Sequence, residues 1–135
     1  MTKEEKKKVR DFCKSYIPAR SRIRRAEKDR EKFEKHAAAE GISIFEKELM
    51  ELNIARKQKK IEEDRKIVLL FESALGELDG LDRCIFHQLY VEGKQQNDVV
   101  NLEGKQIARS RVNVIKDRAL ERVGKLLLEL FDFAL

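Results

Sequence analysis

Helix breakers are scarce in this chain, with one proline and six glycines among 135 residues, and a loop-rich architecture is therefore excluded in favour of helices. The two cysteines, Cys13 and Cys84, are far apart and each is flanked by apolar residues. They form no disulfide framework, and a reducing compartment is expected. No apolar run approaches the ~18 residues that cross a bilayer, and the opening "MTKEEKKKVRDF" lacks the apolar segment of a signal peptide. The expected location is the cytoplasm, with no membrane partner. Chemistry-bearing motifs are equally sparse. His36 and His87 stand in no metal-ligand pattern. There is no glycine-rich phosphate loop, no nucleophile elbow and no isolated carboxylate pair in an apolar setting. The expectation is no enzyme, no cofactor and no metal.

What the chain does have is charge. Charged residues make up 41% of it, the formal net charge is +5 and the pI is about 9.2, a balance that suits a polyanionic partner such as nucleic acid. Hydrophobic residues also reach 41% and recur at helical spacing, so the chain is expected to fold with a thin core, as one compact domain or a small domain bearing an extended helical arm.

Val9, Phe12, Cys13 and either Tyr16 or Ile17 recur at three and four residues, which predicts a first helix over 3–16, with Pro18 at its end or opening the next. A second helix over 20–40 begins with a basic run, Arg20, Arg22, Arg24, Arg25, Lys28 and Arg30. Such a run can hold phosphates, but acids are interleaved from Glu27 onward, which favours a solvated face laced with pairs four residues apart over a phosphate site. Gly41 interrupts the pattern. Ser43, followed three residues later by Glu46, predicts the capped start of a third helix from Ile44 to about Leu75. Ile54, Ile61, Val68 and Leu75 repeat every seven residues, but Lys57 and Asp64 interrupt the companion positions. An antiparallel hairpin with the preceding helix, or a dimer contact, with a polar middle, is expected. "GELDGLD", Gly76 to Asp82, is the expected boundary between an N-terminal helical arm, 1–77, and a C-terminal domain, 78–135.

In that domain Leu81, Ile85, Leu89 and Tyr90, then Gly93, then Val99, Val100 and Leu102, then Gly104, and finally Ile107 to Val123 describe three short helices joined by two turns. The expected bounds are 81–91, 95–102 and 108–130, a helix-turn-helix. On the last helix Ala108, Val112, Ile115, Ala119 and Val123 share the packing side at about 100° per residue. Opposite them lie Ser110, Asn113, Val114 and Asp117, with Arg109 at one edge and Arg111 and Arg118 at the other. Short polar groups near a helix N-terminus can reach base edges, and guanidinium groups beside them can hold phosphates or guanines. The tail "KLLLELFDFAL", Lys125 to Leu135, is the most apolar stretch and reads first as core, then as a surface for the arm or a second subunit.

"RSRVNVIKDRAL", Arg109 to Leu120, resembles the recognition helix of region 4 in bacterial sigma factors, which bind the promoter −35 element. The Arg-x-Arg pair, the aliphatic Val112 and Ile115, and Ala119-Leu120 carry the likeness. "LDGLDRCIFHQLYVEGKQQNDVV", Leu78 to Val100, resembles the preceding helices, including the Tyr-x-x-Gly at Tyr90 and Gly93. The layout of charged N-terminal helices before a sigma region 4-like module is similar to phage late-gene regulators of the ArpU and RinA type. That resemblance implies an all-α regulator that activates late genes at promoters, binds double-stranded DNA, and sets its N-terminal helices against bacterial RNA polymerase or a second copy in a homodimer.

Carried over by position, Arg109, Ser110, Arg111 and Asn113 are the implied base or phosphate readers, with Val114 and Asp117 beside them. Lys94, Gln95 and Gln96 open the second helix and Lys105 and Gln106 occupy the turn, where they can clamp phosphates. The chain departs from the family in a longer turn, "LEGKQIA", with Glu103-Gly104 in place of Leu-Gly, and in Val114 and Asp117. An aliphatic side chain can contact a thymine methyl and an acid can accept from cytosine, so these departures bear on the target sequence more than on DNA binding. An anti-sigma-like or polymerase-binding adaptor that keeps the region 4 shape without binding DNA is the alternative, and a helical scaffold a third.

Overall fold

The structure, a computed structural model, describes residues 1–130. Among these the chain is helical, in the order α1 (Lys3–Lys14), α2 (Tyr16–Ala37), α3 (Ile44–Gly76), α4 (Gly80–Tyr90), a 3₁₀ turn (Gln96–Asp98) and α5 (Arg109–Leu130). The expected all-α class holds. No helix among the described residues is long and apolar enough to cross a membrane.

Local chemistry explains the starts. The Thr2 hydroxyl accepts a hydrogen bond from the Glu5 amide at 3.1 Å, and Glu4 and Glu5 lie against the positive end of α1. Pro18 is the third residue of α2, in the first turn, where its missing N–H would have had no intrahelical partner. Ser43 Oγ accepts from the Glu46 amide at 3.1 Å at the head of α3, and Gly41 takes a positive φ of 80° just before it.

The chain forms two compact units, and their division differs from the expected boundary at 77/78. One unit is Pro18–Val68; the other joins Met1–Ile17 to the chain from Leu69 onward. The physical reason lies in burial. Val9, Cys13 and Tyr16 of α1 and the start of α2 are buried in the same core as Phe71, Ala74, Leu75 and Leu78, so neither the first helix nor the end of α3 belongs to a separate arm. The "GELDGLD" stretch does end α3, but it is a turn inside one unit.

The Pro18–Val68 unit is an antiparallel pairing of α2 and α3, with a small apolar interior of Ala19, Ala26 and Ile61. Cross-helix partners run in opposite directions along the chain: Arg22 with Asp64, Glu27 with Arg65 at 3.6 Å, Asp29 with Lys57 at 3.4 Å, Arg30 with Gln58, and His36 with Glu46 at 3.8 Å. The basic run of α2 is therefore in part paired across the hairpin as well as along it. Asp64, the charged interruption of the heptad, is buried at 7% exposure and forms part of the polar middle expected of the hairpin. Arg22 reaches it with Nε at 3.2 Å from both carboxylate oxygens and Nη2 at 3.0 Å from Oδ1, which supplies the charge-assisted bonds that a buried carboxylate requires.

The other unit has two adjoining apolar groups. Tyr16, Phe71, Phe86 and Tyr90 form an aromatic set with ring centroids 4.4 to 6.5 Å apart, and the Tyr16 hydroxyl donates to Glu72 Oε1 at 2.6 Å. Ile85, Val99, Ile107, Val112 and Ile115, with Leu81 and Leu89 at their edge, pack α4 against α5 and the segment between them. Farther along α5, Ala119, Leu120, Val123, Gly124 and Leu127 are buried. A Cβ added at Gly124 would meet the end of Met1 and lie 3.0 Å from Val9 Cγ2, which shows how closely α1 approaches there. Cys13 is buried, with its thiol pushed well up from the ordinary range by burial, and Cys84 is half-buried; neither is in a disulfide. In the tail Leu126 and Leu127 are buried and Leu128 is exposed, whereas the Leu130 side chain and the apolar residues expected over 131–135 lie outside the described residues.

The charge-assisted bonds at Asp64 generate a test. Asp64→Ala is expected to lower the urea-unfolding free energy, followed by far-UV circular dichroism, by about 1–3 kcal/mol. The double variant Arg22→Met with Asp64→Leu should recover most of that loss, since an apolar pair needs no such partners.

Candidate nucleic-acid interface

Between α4 and α5 the chain does not form the expected second helix over 95–102. Only Gln96–Asp98 make a 3₁₀ turn, after which Val99 is extended with ψ 134° and Val100 bridges antiparallel to Gln106. Two β-branched residues in a row favour extended backbone, and Asn101 favours a turn. Asn101 Oδ1 accepts from the Glu103 and Lys105 amides, each at 2.9 Å, and Gly104 adopts φ 80°. Both Val99 and Ile107 reach the core from this small loop, while Leu102 stays exposed.

The loop is held by Gln88, one of two buried polar residues among those described. Its amide behaves as a strand neighbour to Val100: Nε2 donates to Val100 O at 2.7 Å and Oε1 accepts from Val100 N at 3.0 Å. Nε2 also donates to Cys84 O at 3.2 Å, and Oε1 accepts from Lys94 Nζ at 3.2 Å. Every donor and acceptor that an amide offers is thereby engaged, which makes its burial tolerable. The consequence for the interface is positional. With Val100 pinned to α4, Val99 and Ile107 are anchored beside α5, whose first turn starts two residues beyond Ile107.

The sequence-predicted residues separate into two groups. Arg109, Ser110, Arg111 and Val114 are exposed on the first turns of α5, Asp117 is exposed one turn on, and Asn113 is half-buried. Gln96 joins this set, since Arg109 Nε lies 3.4 Å from its Oε1. Gln95 is exposed beside it. Lys94, Lys105 and Gln106 have other local partners: Lys94 serves Gln88, Lys105 Nζ lies 3.9 Å from Glu103, and Gln106 Nε2 donates to Asn97 O at 3.0 Å. Because residues 95–102 are not a helix, Lys94, Gln95 and Gln96 do not stand at a helix N-terminus, and that part of the expected phosphate clamp is corrected. Ala108, expected on the packing side, is exposed, because it precedes the first turn and its carbonyl accepts from the Val112 amide at 3.0 Å. Arg118 is held by Asp82 of α4, with Nε 3.1 Å from Oδ2, and the hydrogen bonds raise its already high pKa.

Sequence reasoning missed three cations. A cleft of about 590 Å³ opens between α1, α4 and the N-terminal half of α5, lined by Arg10 and Lys14 from α1, Lys116, Asn113 and Asp117 from α5, and Gln96 from the loop, over a floor that includes Tyr90 and Leu89. Burial pulls the Lys116 ammonium below the usual lysine range; Arg10, Lys14 and Arg109 push the same way, against Asp117. Burial raises the Tyr90 phenol, leaving it neutral. The only sign in the sequence was the four-residue spacing of Arg10 and Lys14, unreadable without knowing that α1 packs against α5.

Comparison of the chain with protein-family models, with curated proteins and with solved structures returns no match.

Gln88→Leu is expected to destabilise the unit containing α4 and α5 by about 2 kcal/mol, since in a half-buried place Val100 N–H loses its partner and its C=O keeps only the weak Cys84 thiol donor. Amide hydrogen exchange should show Val100 losing protection before the helices do; unchanged protection there would refute the pinning role.

Proposed function

We propose that the chain is a sequence-specific DNA-binding regulator of transcription, acting at promoters of phage or prophage late genes through the N-terminal half of α5. The observation that carries this reading is the uncovered first turns of that helix. Arg109, Ser110 and Arg111 are exposed together, Val114 is 65% exposed, and Asn113 borders the cleft, while Val112 and Ile115 behind them are fixed in the core. A rigid helix end with guanidinium, hydroxyl, amide and aliphatic groups on its free side has the donors, acceptors and apolar contact that base edges in a major groove accept. The net charge of +5 favours a polyanion, and the sequence resemblance supplies the promoter context.

A second reading, a polymerase-binding or anti-sigma-like adaptor, is favoured by two observations. The expected middle helix, the one that crosses the DNA backbone in a helix-turn-helix, is replaced by a short loop. Near the start of α3, Phe45, Leu49 and Leu52 are exposed at helical spacing, beside an exposed Ile44, a pattern that suits a protein surface.

Selection of bound duplexes from a random-sequence DNA pool separates the two. The DNA-binding reading expects one enriched motif. On that motif, Arg109→Ala and Arg111→Ala should each weaken binding by about ten- to a hundredfold, corresponding to ~1–3 kcal/mol per lost base contact. No enrichment, together with capture of purified bacterial RNA polymerase, would replace this reading with the adaptor.

A further inference from the structure

We propose that Arg10 and Lys14 of α1, together with Lys116 of α5, form a clamp for one backbone phosphate of duplex DNA, set beside the groove that the first turns of α5 enter. The inference rests on the DNA-binding reading above and adds to it a helix that neither the sequence pattern nor the resemblance placed near the DNA.

Three observations carry it. The first is electrostatic: three cations share a concave cleft in which Asp117 is the one acid, and among the described residues none of the three makes an ion pair with a carboxylate. The hairpin shows the ordinary alternative, with Arg22, Lys57 and Arg65 each facing an acid across the helices. Like charges gathered at a partly desolvated place are mutually repulsive, and an anion placed among them relieves that repulsion.

The second is an unmet donor. Arg10 Nε is buried without a hydrogen-bond partner among the described residues. A buried donor left unbonded is costly, so the Arg10 side chain gains by shifting to meet an acceptor, and a phosphate oxygen in the cleft is one of the right charge. The third is position. On α5, Lys116, Arg109, Asn113 and Asp117 fall within about 100° of arc, so the cleft continues the side of the helix that carries Arg109 and Asn113. One to two turns later that same side is covered by α1 at Gly124. Contacts to phosphates on both flanks of a groove fix the register of a recognition helix without reading sequence, and this is the role the clamp would have.

The test uses the full chain and a mixed-sequence duplex, with affinity read by fluorescence anisotropy across a salt series. The triple variant Arg10→Gln, Lys14→Gln, Lys116→Gln is compared with a variant of equal charge change on exposed hairpin positions, Arg24→Gln, Arg25→Gln, Lys28→Gln. For one phosphate contact the clamp variant should lower the slope of log affinity against log salt by about 0.9 and weaken binding about three- to tenfold at low salt, alike for different sequences. Its melting temperature should match or exceed that of the unaltered protein. The charge-keeping variant Arg10→Lys, Lys14→Arg, Lys116→Arg should retain the slope. If the clamp variant binds like the hairpin control, the clamp is overturned and the DNA-binding reading stands. A wild-type chain that binds no duplex at all overturns both.

Discussion

The close approach of the first helix to the last governs the C-terminal unit. Gly124 eases it, since a Cβ there would lie 3.0 Å from Val9 Cγ2 and displace the end of the Met1 side chain. A glycine inside a helix costs about 1 kcal/mol relative to alanine, and this one is offset by the apolar contact it allows. Because α1 seats there, Val9, Cys13 and Tyr16 become core residues of a unit that begins again fifty residues later, at Leu69. The same seating ends partway along α5. The C-terminal half of that helix face is covered and the N-terminal half is left open, so the cleft and its three cations follow from where α1 stops.

A second constraint acts at the other edge of α5. A single buried glutamine replaces a helix-turn-helix middle helix as the means of holding the loop, by offering Val100 the pair of hydrogen bonds a neighbouring strand would give. Such a fastening needs few residues. It frees the chain to form a short Asn101-centred turn, and it anchors Val99 and Ile107 on either side of that turn against the core next to the first turn of α5. The proposed interface therefore depends on α4 and its glutamine for orientation and on α1 for its charged flank.

Charge is arranged differently in the two units. In the α2–α3 hairpin basic residues face acids across the helices, and even a buried carboxylate is satisfied by Arg22, so much of this charge serves to hold two polar helices together around a small apolar interior. Around the start of α5 the cations gather on one side with a single acid among them. Folding does not neutralise that concentration of positive charge, which is the feature the proposed phosphate contact rests on.

The sequence by itself determined the helices. Ser43 with its following Glu46, the positions of Pro18 and Gly41, and the recurrence of apolar residues at three and four placed all five α-helices to within about four residues, because caps, breakers and period act within one turn of chain. The exposed side of α5 was legible for the same reason: Val112, Ile115, Ala119 and Val123 define a buried stripe, and Arg109, Ser110 and Arg111 lie off it. The tertiary structure alone decided the membership of α1, the loss of the helix over 95–102 and the burial of Asp64. Each turns on a partner distant in the chain, Val9 with Gly124, Gln88 with Val100 and Arg22 with Asp64, and the free energy of such a pairing leaves no periodic trace in the residues on either side.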